Sequence, residues 1–121
     1  MHIAIIEDDP VLCELTRTAI SLEGNQVSVF KNGEDGIEYL KDHIDQVDII
    51  LLDLYMPVLD GVYVLDWLRN TMKVSTPVVV MTAMTDEITE NNIISAGADR
   101  VIKKPLDIKM LLSAIEGVRN R

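Results

Sequence analysis

The side chains with the clearest chemical potential each stand where a short apolar run ends. They are Glu7, Asp8 and Asp9 after the first run, Asp53 after the third, Thr82 with Ala83 after the fourth, and Lys104 after the fifth. A carboxylate that ends an apolar run is costly to bury unless its charge is used. If the fold brings the run ends together, they form a site with several carboxylates, one hydroxyl and one ammonium group.

Several carboxylates at one place need compensation, because like charges within a few ångströms repel one another at pH 7. A divalent cation provides it. A site of oxygen ligands with few protein groups suits Mg²⁺, which keeps several waters and often binds a phosphate oxygen. The residue types therefore predict Mg²⁺ as the cofactor of the carboxylate cluster.

A carboxylate beside a metal ion can attack phosphorus and form an aspartyl phosphate. The transfer needs positive charge and hydrogen-bond donors around three equatorial oxygens. The Lys104 ammonium, the Thr82 hydroxyl and the Ala83 backbone N–H are the available donors. The predicted chemistry is phosphoryl transfer to an aspartate.

These residues can meet only if the apolar runs are neighbouring strands. The β-branched runs are Ile3 to Ile6, Val27 to Phe30, Val47 to Leu52, Pro77 to Met81 and Arg100 to Lys103. They alternate with longer stretches of helical spacing, which predicts a parallel sheet covered by helices on both faces. In such a sheet ligands bind at the carboxyl ends of the strands, beside the switch point in strand order.

The stretches between the runs carry apolar stripes at helical spacing. The stripes are Leu12-Leu15-Ala19-Leu22, Ile37-Leu40-Ile44, Val62-Leu65-Leu68, Ile88-Ile93-Ala96 and Leu111-Leu112-Ile115. Helix N-caps are predicted at Asp9, Asn32, Thr85 and Asp107, and helix ends at Gly24 and Gly97. Tyr63 and Trp67 lie one turn apart beside the third stripe. That spacing is typical of a pair covering the edge of the core, and a partner surface is the alternative.

Composition limits the classes of function. The 121 residues suffice for one domain, and the net charge of −9 argues against direct binding to nucleic acid or an anionic membrane. The apolar runs are too short to cross a bilayer, and residues 1–6 do not resemble a signal peptide. The single cysteine, Cys13, favours a reducing compartment. We therefore expect a cytoplasmic protein that does not act on membranes.

Six motifs, in this order and at these spacings, resemble the receiver domain of a two-component response regulator. They are Ile5 to Pro10, Leu51 to Pro57, Asp60-Gly61, Met81-Thr82-Ala83, Gly97-Ala98-Asp99 and Lys104-Pro105. Each motif is weak alone, but together they cover essentially the whole chain. The resemblance implies a single receiver domain over 1–121, with a flavodoxin-like, doubly wound α/β sheet of strand order 2-1-3-4-5.

The resemblance also implies a role for each acidic residue. Asp53 matches the phosphoacceptor, and Asp8 matches the direct metal ligand. Glu7 matches the acidic neighbour that holds the metal through water, and Tyr55 would offer its backbone carbonyl to the metal. Asp9 is not a ligand in that scheme, which agrees with its interpretation as a helix cap.

The remaining positions concern the switch. Thr82 would bond the phosphoryl oxygen and pull its loop inward, and Lys104 would pair with the phosphoryl group. The family commonly makes the Lys104-Pro105 bond cis. It usually has an aromatic ring three residues before the lysine, which moves inward with the threonine. Here that position is Val101, which has no ring to carry the movement.

The predicted function is the reception of a phosphoryl group from a histidine kinase or a histidine phosphotransfer protein. The phosphoryl group would favour one arrangement of the Thr82 loop and the fourth helix, and so control an output domain or partner. A second receiver copy is a further candidate partner. We expect no enzyme activity beyond autophosphorylation and slow loss of the phosphoryl group. Slow loss is expected because, in the family, the side chains two residues after the acceptor and two after the threonine border the approach of water, and here they are Tyr55 and Met84.

Other functions use similar parts. An aspartyl-phosphate hydrolase also needs Mg²⁺ and an aspartate after a strand, but it resembles Asp-x-Asp, where this chain has Tyr55. A flavodoxin shares the fold, but Glu7, Asp8 and Asp9 would repel the flavin phosphate. An interaction module of the same fold that has lost phosphorylation would not need Asp53 or Lys104.

Overall fold

The computed structural model describes residues 1–56, 59–83 and 86–119, and its centre is a five-stranded sheet. The strands are β1 (His2–Ile6), β2 (Gln26–Phe30), β3 (Ile49–Asp53), β4 (Val78–Thr82) and β5 (Arg100–Lys103). Neighbouring strands are parallel, and their order across the sheet is β2-β1-β3-β4-β5. The predicted doubly wound α/β fold and its strand order 2-1-3-4-5 are confirmed.

Helices connect successive strands and cover the sheet. They are α1 (Pro10–Leu22), α2 (Gly33–His43), α3 (Gly61–Asp66), α4 (Glu87–Ser95) and α5 (Ile108–Arg119). A 3₁₀ turn (Ile44–Gln46) follows α2, and α3 continues into a π-helical turn (Trp67–Thr71). In the part of the chain that is described, none of the helices has the length and apolar character needed to cross a membrane.

Side-chain caps fix where the helices begin. The predicted N-caps at Asp9, Asn32 and Asp107 are confirmed, since each carboxylate or amide oxygen accepts a backbone N–H of the following turn. At α4 the cap is Asp86, whose carboxylate accepts the backbone N–H three residues further on at 2.8 Å. The predicted cap, Thr85, lies outside the described residues.

The sheet has a separate core on each face. Alternate residues of β1, β3 and β4 point to opposite sides, so that α2, α3 and α4 cover one core while α1 and α5 cover the other. β3 is buried along its whole length, as the central strand of a doubly wound sheet should be. Its carboxyl end is therefore fixed firmly in the middle of the molecule.

The predicted stripe of α1 was placed on the wrong face of the helix. Thr16 and Ile20 are buried there, whereas Leu22 is 82% exposed. Thr16 tolerates burial because its hydroxyl donates to the Leu12 carbonyl at 2.8 Å, within its own helix. The spacing of apolar residues could not reveal a threonine that is satisfied locally.

The predicted stripe of α3 is wrong at its first position. Val62 is half exposed and Val64 is buried, and Trp67, three residues after Val64 on the same helix face, is buried as well. The alternative that Tyr63 and Trp67 share one exposed surface is wrong for Trp67, which is buried in the core. Tyr63 is half exposed.

Candidate functional site

The carboxyl ends of four strands bring together the residues that were predicted from the sequence. Glu7 follows β1, Asp53 ends β3, Thr82 ends β4 and Lys104 follows β5. One carboxylate oxygen from each of Glu7, Asp8 and Asp53 lies within 4.8 Å of the other two. The predicted convergence on one edge of the sheet is therefore found.

Lys104 joins the two buried carboxylates of this edge. Its Nζ lies 2.9 Å from Oε1 of Glu7 and 3.1 Å from Oδ1 of Asp53. Its backbone N–H donates to the Thr82 carbonyl at 2.9 Å, and its bond to Pro105 is cis, as the resemblance implied. One ammonium group thus serves two carboxylates.

Glu7 is the most strained group of the site. Its side chain is fully buried, and this burial raises its pKa from 4.5 to about 7, with a smaller upward contribution from Asp53. The Lys104 ammonium and the Asp9 backbone N–H lower that pKa in part. For Lys104 the balance is reversed: desolvation lowers its pKa, but the interactions with Glu7 and Asp53 together raise that pKa above its usual value.

The groups around Glu7 differ in how deeply they are buried. Asp53 is only 3% exposed, whereas Asp8 is half-buried at the opening of the site. Cys13 lies behind Glu7, and its Sγ donates to the Glu7 carbonyl at 3.0 Å. Burial raises the pKa of this thiol to about 11, so Cys13 is protonated at neutral pH and unsuited to nucleophilic chemistry.

The carboxylate cluster fits a hard divalent cation. Oε1 of Glu7 is buried and makes no well-directed hydrogen bond with any described residue, although Lys104 Nζ is close to it. A buried oxygen of this kind is costly unless a cation or a metal-bound water satisfies it. Together with Asp8 and Asp53 it offers the oxygen-only ligand set that Mg²⁺ prefers.

Tyr55 links this edge to the helices. Its backbone N–H lies 3.4 Å from Oδ1 of Asp53, and its half-exposed side chain lines a cleft of about 210 Å³ between α3 and α4.

The other predicted switch residues differ in burial: Thr82 is buried, Ala83 is exposed and Val101 is half-buried against the core under α2, α3 and α4. Pro57 of the quoted motif and Met84 lie outside the described residues.

Sequence patterns did not reveal two features that support the site. Gly61 packs so tightly against the Asp53 carbonyl that a Cβ there would collide with it, and its N–H donates to the Leu54 carbonyl at 2.7 Å. The Asp60-Gly61 motif was the only signal. Arg69 was missed altogether, because its partners are mostly backbone carbonyls that no pattern of residue types reveals.

Comparison with known proteins gives a consistent result. The family model described as "Response regulator receiver domain" matches residues 3–116. "Transcriptional regulatory protein CseB" of Streptomyces coelicolor is 35% identical over 120 residues, which are 99% of this chain and 50% of that protein. "Transcriptional regulatory protein CpxR" of Escherichia coli K12 is 33% identical over 119 residues, 98% of this chain and 49% of that protein. The chain thus spans about half the length of these relatives.

Solved structures show the same fold. The Francisella response regulator 1452 receiver domain superposes with a TM-score of 0.91 at 22% identity, covering 99% of this chain and 97% of that one. A chain of the CheX-CheY-BeF3-Mg²⁺ complex from Borrelia burgdorferi gives a TM-score of 0.91 at 25% identity, covering 98% of this chain and 88% of that one.

Proposed function

The chain belongs to the response-regulator receiver family, and on that premise we propose that Asp53 is the residue that accepts the phosphoryl group. One observation carries the assignment. Asp53 is a buried carboxylate at the end of the central strand, 3.1 Å from the Lys104 ammonium and inside the only cluster of metal-compatible carboxylates among the described residues. No other described aspartate combines burial, a cation and a potential metal site.

The residues suited to hold Mg²⁺ are Glu7, Asp8 and Asp53, together with the backbone carbonyl of Tyr55. When bound, Mg²⁺ supplies positive charge to the phosphoryl oxygens and offsets the repulsion among the carboxylates. The metal ion and the Asp53 carboxylate must be close to act together, and one carboxylate oxygen from each of Glu7, Asp8 and Asp53 lies within 4.8 Å of the other two.

The transfer itself is a single displacement at phosphorus. An oxygen of the Asp53 carboxylate forms the new P–O bond while the P–N bond to the donor histidine breaks, and the electron pair returns to the imidazole nitrogen. Lys104 is already beside the attacking carboxylate, so it can follow the negative charge onto the phosphoryl oxygens. The Thr82 hydroxyl and the Ala83 N–H are the further donors for those oxygens.

The phosphoryl donor is a histidine kinase or a histidine phosphotransfer protein, and we propose that it docks beside Lys104. Val11 is 78% exposed and Leu15 is 47% exposed on α1, and both border a shallow cleft of about 280 Å³ that also includes Lys104 and Leu106. An apolar surface that adjoins the acceptor can hold a donor protein while its histidine reaches Asp53.

Output belongs to another part of the system. The curated relatives are named transcriptional regulators and are about twice as long as this chain, so we propose a DNA-directed output outside residues 1–121. The charge of −9 disfavours direct nucleic-acid contact by this receiver, and a second receiver copy is a candidate partner. Cytoplasmic location stays a prediction.

The test is phosphorylation by a small-molecule donor such as acetyl phosphate, in the presence of Mg²⁺. We expect intact-mass measurements to show one added phosphoryl group on the parent and none on Asp53→Asn. Asp60→Asn is the matched control, because Asp60 is an exposed capping aspartate near the same edge. Full labelling of Asp53→Asn, mapped to a residue outside the cluster, would refute the assignment.

A further inference from the structure

Arg69, in the π-helical turn after α3, holds an unusually complete set of partners. Its Nε donates to the Gly97 carbonyl at 3.0 Å, and its Nη1 donates to the Val74 carbonyl at 2.9 Å. Its Nη2 donates to the Thr76 carbonyl at 2.9 Å and to Oδ2 of Asp99 at 3.1 Å. The side chain is only 16% exposed, so these bonds are made away from water.

These bonds fix the carboxyl end of α4 to the body of the protein. Gly97 closely follows the helix, with φ of +118°, and a Cβ on it would lie 2.6 Å from the Arg69 Cγ. Asp99 also accepts the Val78 backbone N–H at 2.8 Å, which ties the same loop to the start of β4. Arg69 therefore clasps the α4–β5 loop against α3 and the sheet.

The amino end of α4 is held differently. Among the described residues, the hydrogen bonds of 86–92 stay within the helix and its Asp86 cap. Ile93 is the helix's one buried residue, and Ile88, predicted to face the core, is 74% exposed.

The amino end is also the end nearest to the acceptor along the chain. Only two residues separate Ala83, a proposed phosphoryl-oxygen donor, from the Asp86 cap. Val101 has no ring through which β5 could pass the movement of Thr82 to α4. The direct covalent connection from Thr82 to α4 is the chain itself, through residues 83–86. A pull on the Thr82 loop would therefore act on a weakly held end of α4 whose other end is fixed.

We propose that Arg69 is a positioning residue that forms the pivot of the switch: phosphorylation of Asp53 moves the amino end of α4 about a carboxyl end fixed by the clasp on Gly97 and Asp99. The proposal rests on the proposed function, since the phosphoryl group drives the movement. It goes further by naming the fixed end and the residue that fixes it.

The test is residue-resolved amide hydrogen exchange with and without beryllofluoride and Mg²⁺, a stable mimic of the phosphoryl group. In the parent we expect exchange rates to change about fivefold or more in 87–94 and less than about twofold in 96–99. In Arg69→Met the change should spread to 96–99. An Arg69 that only stabilised the fold would raise exchange everywhere and leave the pattern of change on binding as it was.

Matched variants separate the clasp from general damage. Gly97→Ala should reproduce the Arg69→Met pattern, because its new Cβ displaces the clasp. Gly24→Ala, at another positive φ of +88° but with no atom within 4 Å of a Cβ, should not. Arg17→Met is the control for loss of an exposed arginine, and Arg69→Lys serves if Arg69→Met does not fold.

Two results would overturn the pivot. If beryllofluoride binds the parent, as fluorine NMR would show, but both ends of α4 change equally, the pivot is refuted and the phosphoacceptor assignment stands. If beryllofluoride does not bind the folded parent at all, the pivot and the proposed function both fail.

Discussion

The ammonium group of Lys104 and the guanidinium group of Arg69 are both largely buried beside carboxylates, but they are paired differently. Lys104 lies between two carboxylates, at 2.9 Å from Glu7 and 3.1 Å from Asp53, and an oxygen of Glu7 still lacks a well-directed hydrogen bond. Arg69 lies 3.1 Å from the carboxylate of Asp99, and it also donates to three backbone carbonyls.

This difference distinguishes the candidate site around Lys104 from the structural contacts around Arg69. A site with more negative charge than its own cation can neutralise gains free energy from binding a metal ion or from taking up a proton. A guanidinium group that already makes four hydrogen bonds, as Arg69 does, has little to gain from a ligand and is costly to displace.

Replacing each cation by methionine should separate the two pairs most clearly. Arg69→Met removes the cation beside the Asp99 carboxylate and the donors to three carbonyls, so we expect a loss of about 4 kcal/mol in the free energy of unfolding. Lys104→Met at pH 6 should cost only about 1 kcal/mol, because the raised pKa of Glu7 leaves that carboxyl largely protonated at this pH and the ammonium group offsets the charge of Asp53 alone. Urea unfolding measures both values. Equal losses in the free energy of unfolding would mean that Lys104 and its carboxylates form a structural ion pair, as Arg69 and Asp99 do.

The raised pKa of Glu7 predicts an unusual dependence of stability on pH. Between pH 4.5 and about 7 the folded carboxyl stays protonated while the unfolded one ionises, so stability without metal should fall over this range. We expect the Glu7 contribution to be about 2 kcal/mol. Glu7→Gln should remove it. A metal-free parent that instead gained stability from this group, relative to Glu7→Gln, would contradict the assignment.

Metal binding should relieve the same strain. At ten times its Kd, Mg²⁺ should stabilise the parent by about 1.4 kcal/mol, measured as a rise in melting temperature over an EDTA sample. Asp8→Ala should lose most of this rise, and Asp45→Ala, at an acid of the 3₁₀ turn away from the cluster, should keep it. Identical melting curves of the parent in EDTA and in Mg²⁺ would exclude a metal site of useful affinity.

The acceptor edge was predictable from the sequence because strand ends are marked by residue type. Apolar runs that end in Asp53, Thr82 and Lys104 meet wherever the strands are parallel, so the rule for doubly wound sheets located the site. The degree of burial was not predictable. Repulsion was expected for the cluster as a whole, but full burial after β1 concentrates the strain on Glu7, while Asp8 stays half-buried.

The Arg69 clasp could not be predicted from the sequence, for a different reason. Most of its hydrogen bonds end on backbone carbonyls, which every residue possesses, and the contact to Gly97 spans 28 positions of the chain. The π-helical turn that contains Arg69 has no sequence signature in the spacing of apolar residues. Local sequence signals therefore predicted the site around Lys104 but did not predict the contacts of Arg69.

The smallest expected effect concerns how long the phosphoryl group survives. Hydrolysis of an aspartyl phosphate needs a water molecule in line with the P–O bond, and a bulky side chain on that approach removes a favourable position for it. Tyr55 lies beside the acceptor, with its backbone N–H 3.4 Å from Asp53 Oδ1, and its half-exposed side chain lines the cleft between α3 and α4. We therefore expect the ring to limit the approach of water from the α4 side.

We expect Tyr55→Asn to shorten the lifetime of the phosphorylated protein by about fivefold, which corresponds to about 1 kcal/mol in the barrier. The small amide opens the approach and offers water a hydrogen bond. Tyr55→Phe keeps the ring and should keep the lifetime, and adding Met84→Glu to Tyr55→Asn should shorten it further. Decay of the phosphorylated protein in Mg²⁺ measures all four rates. If Tyr55→Phe decayed as fast as Tyr55→Asn, the tyrosine hydroxyl and not the bulk of the ring would govern access of water to the acceptor.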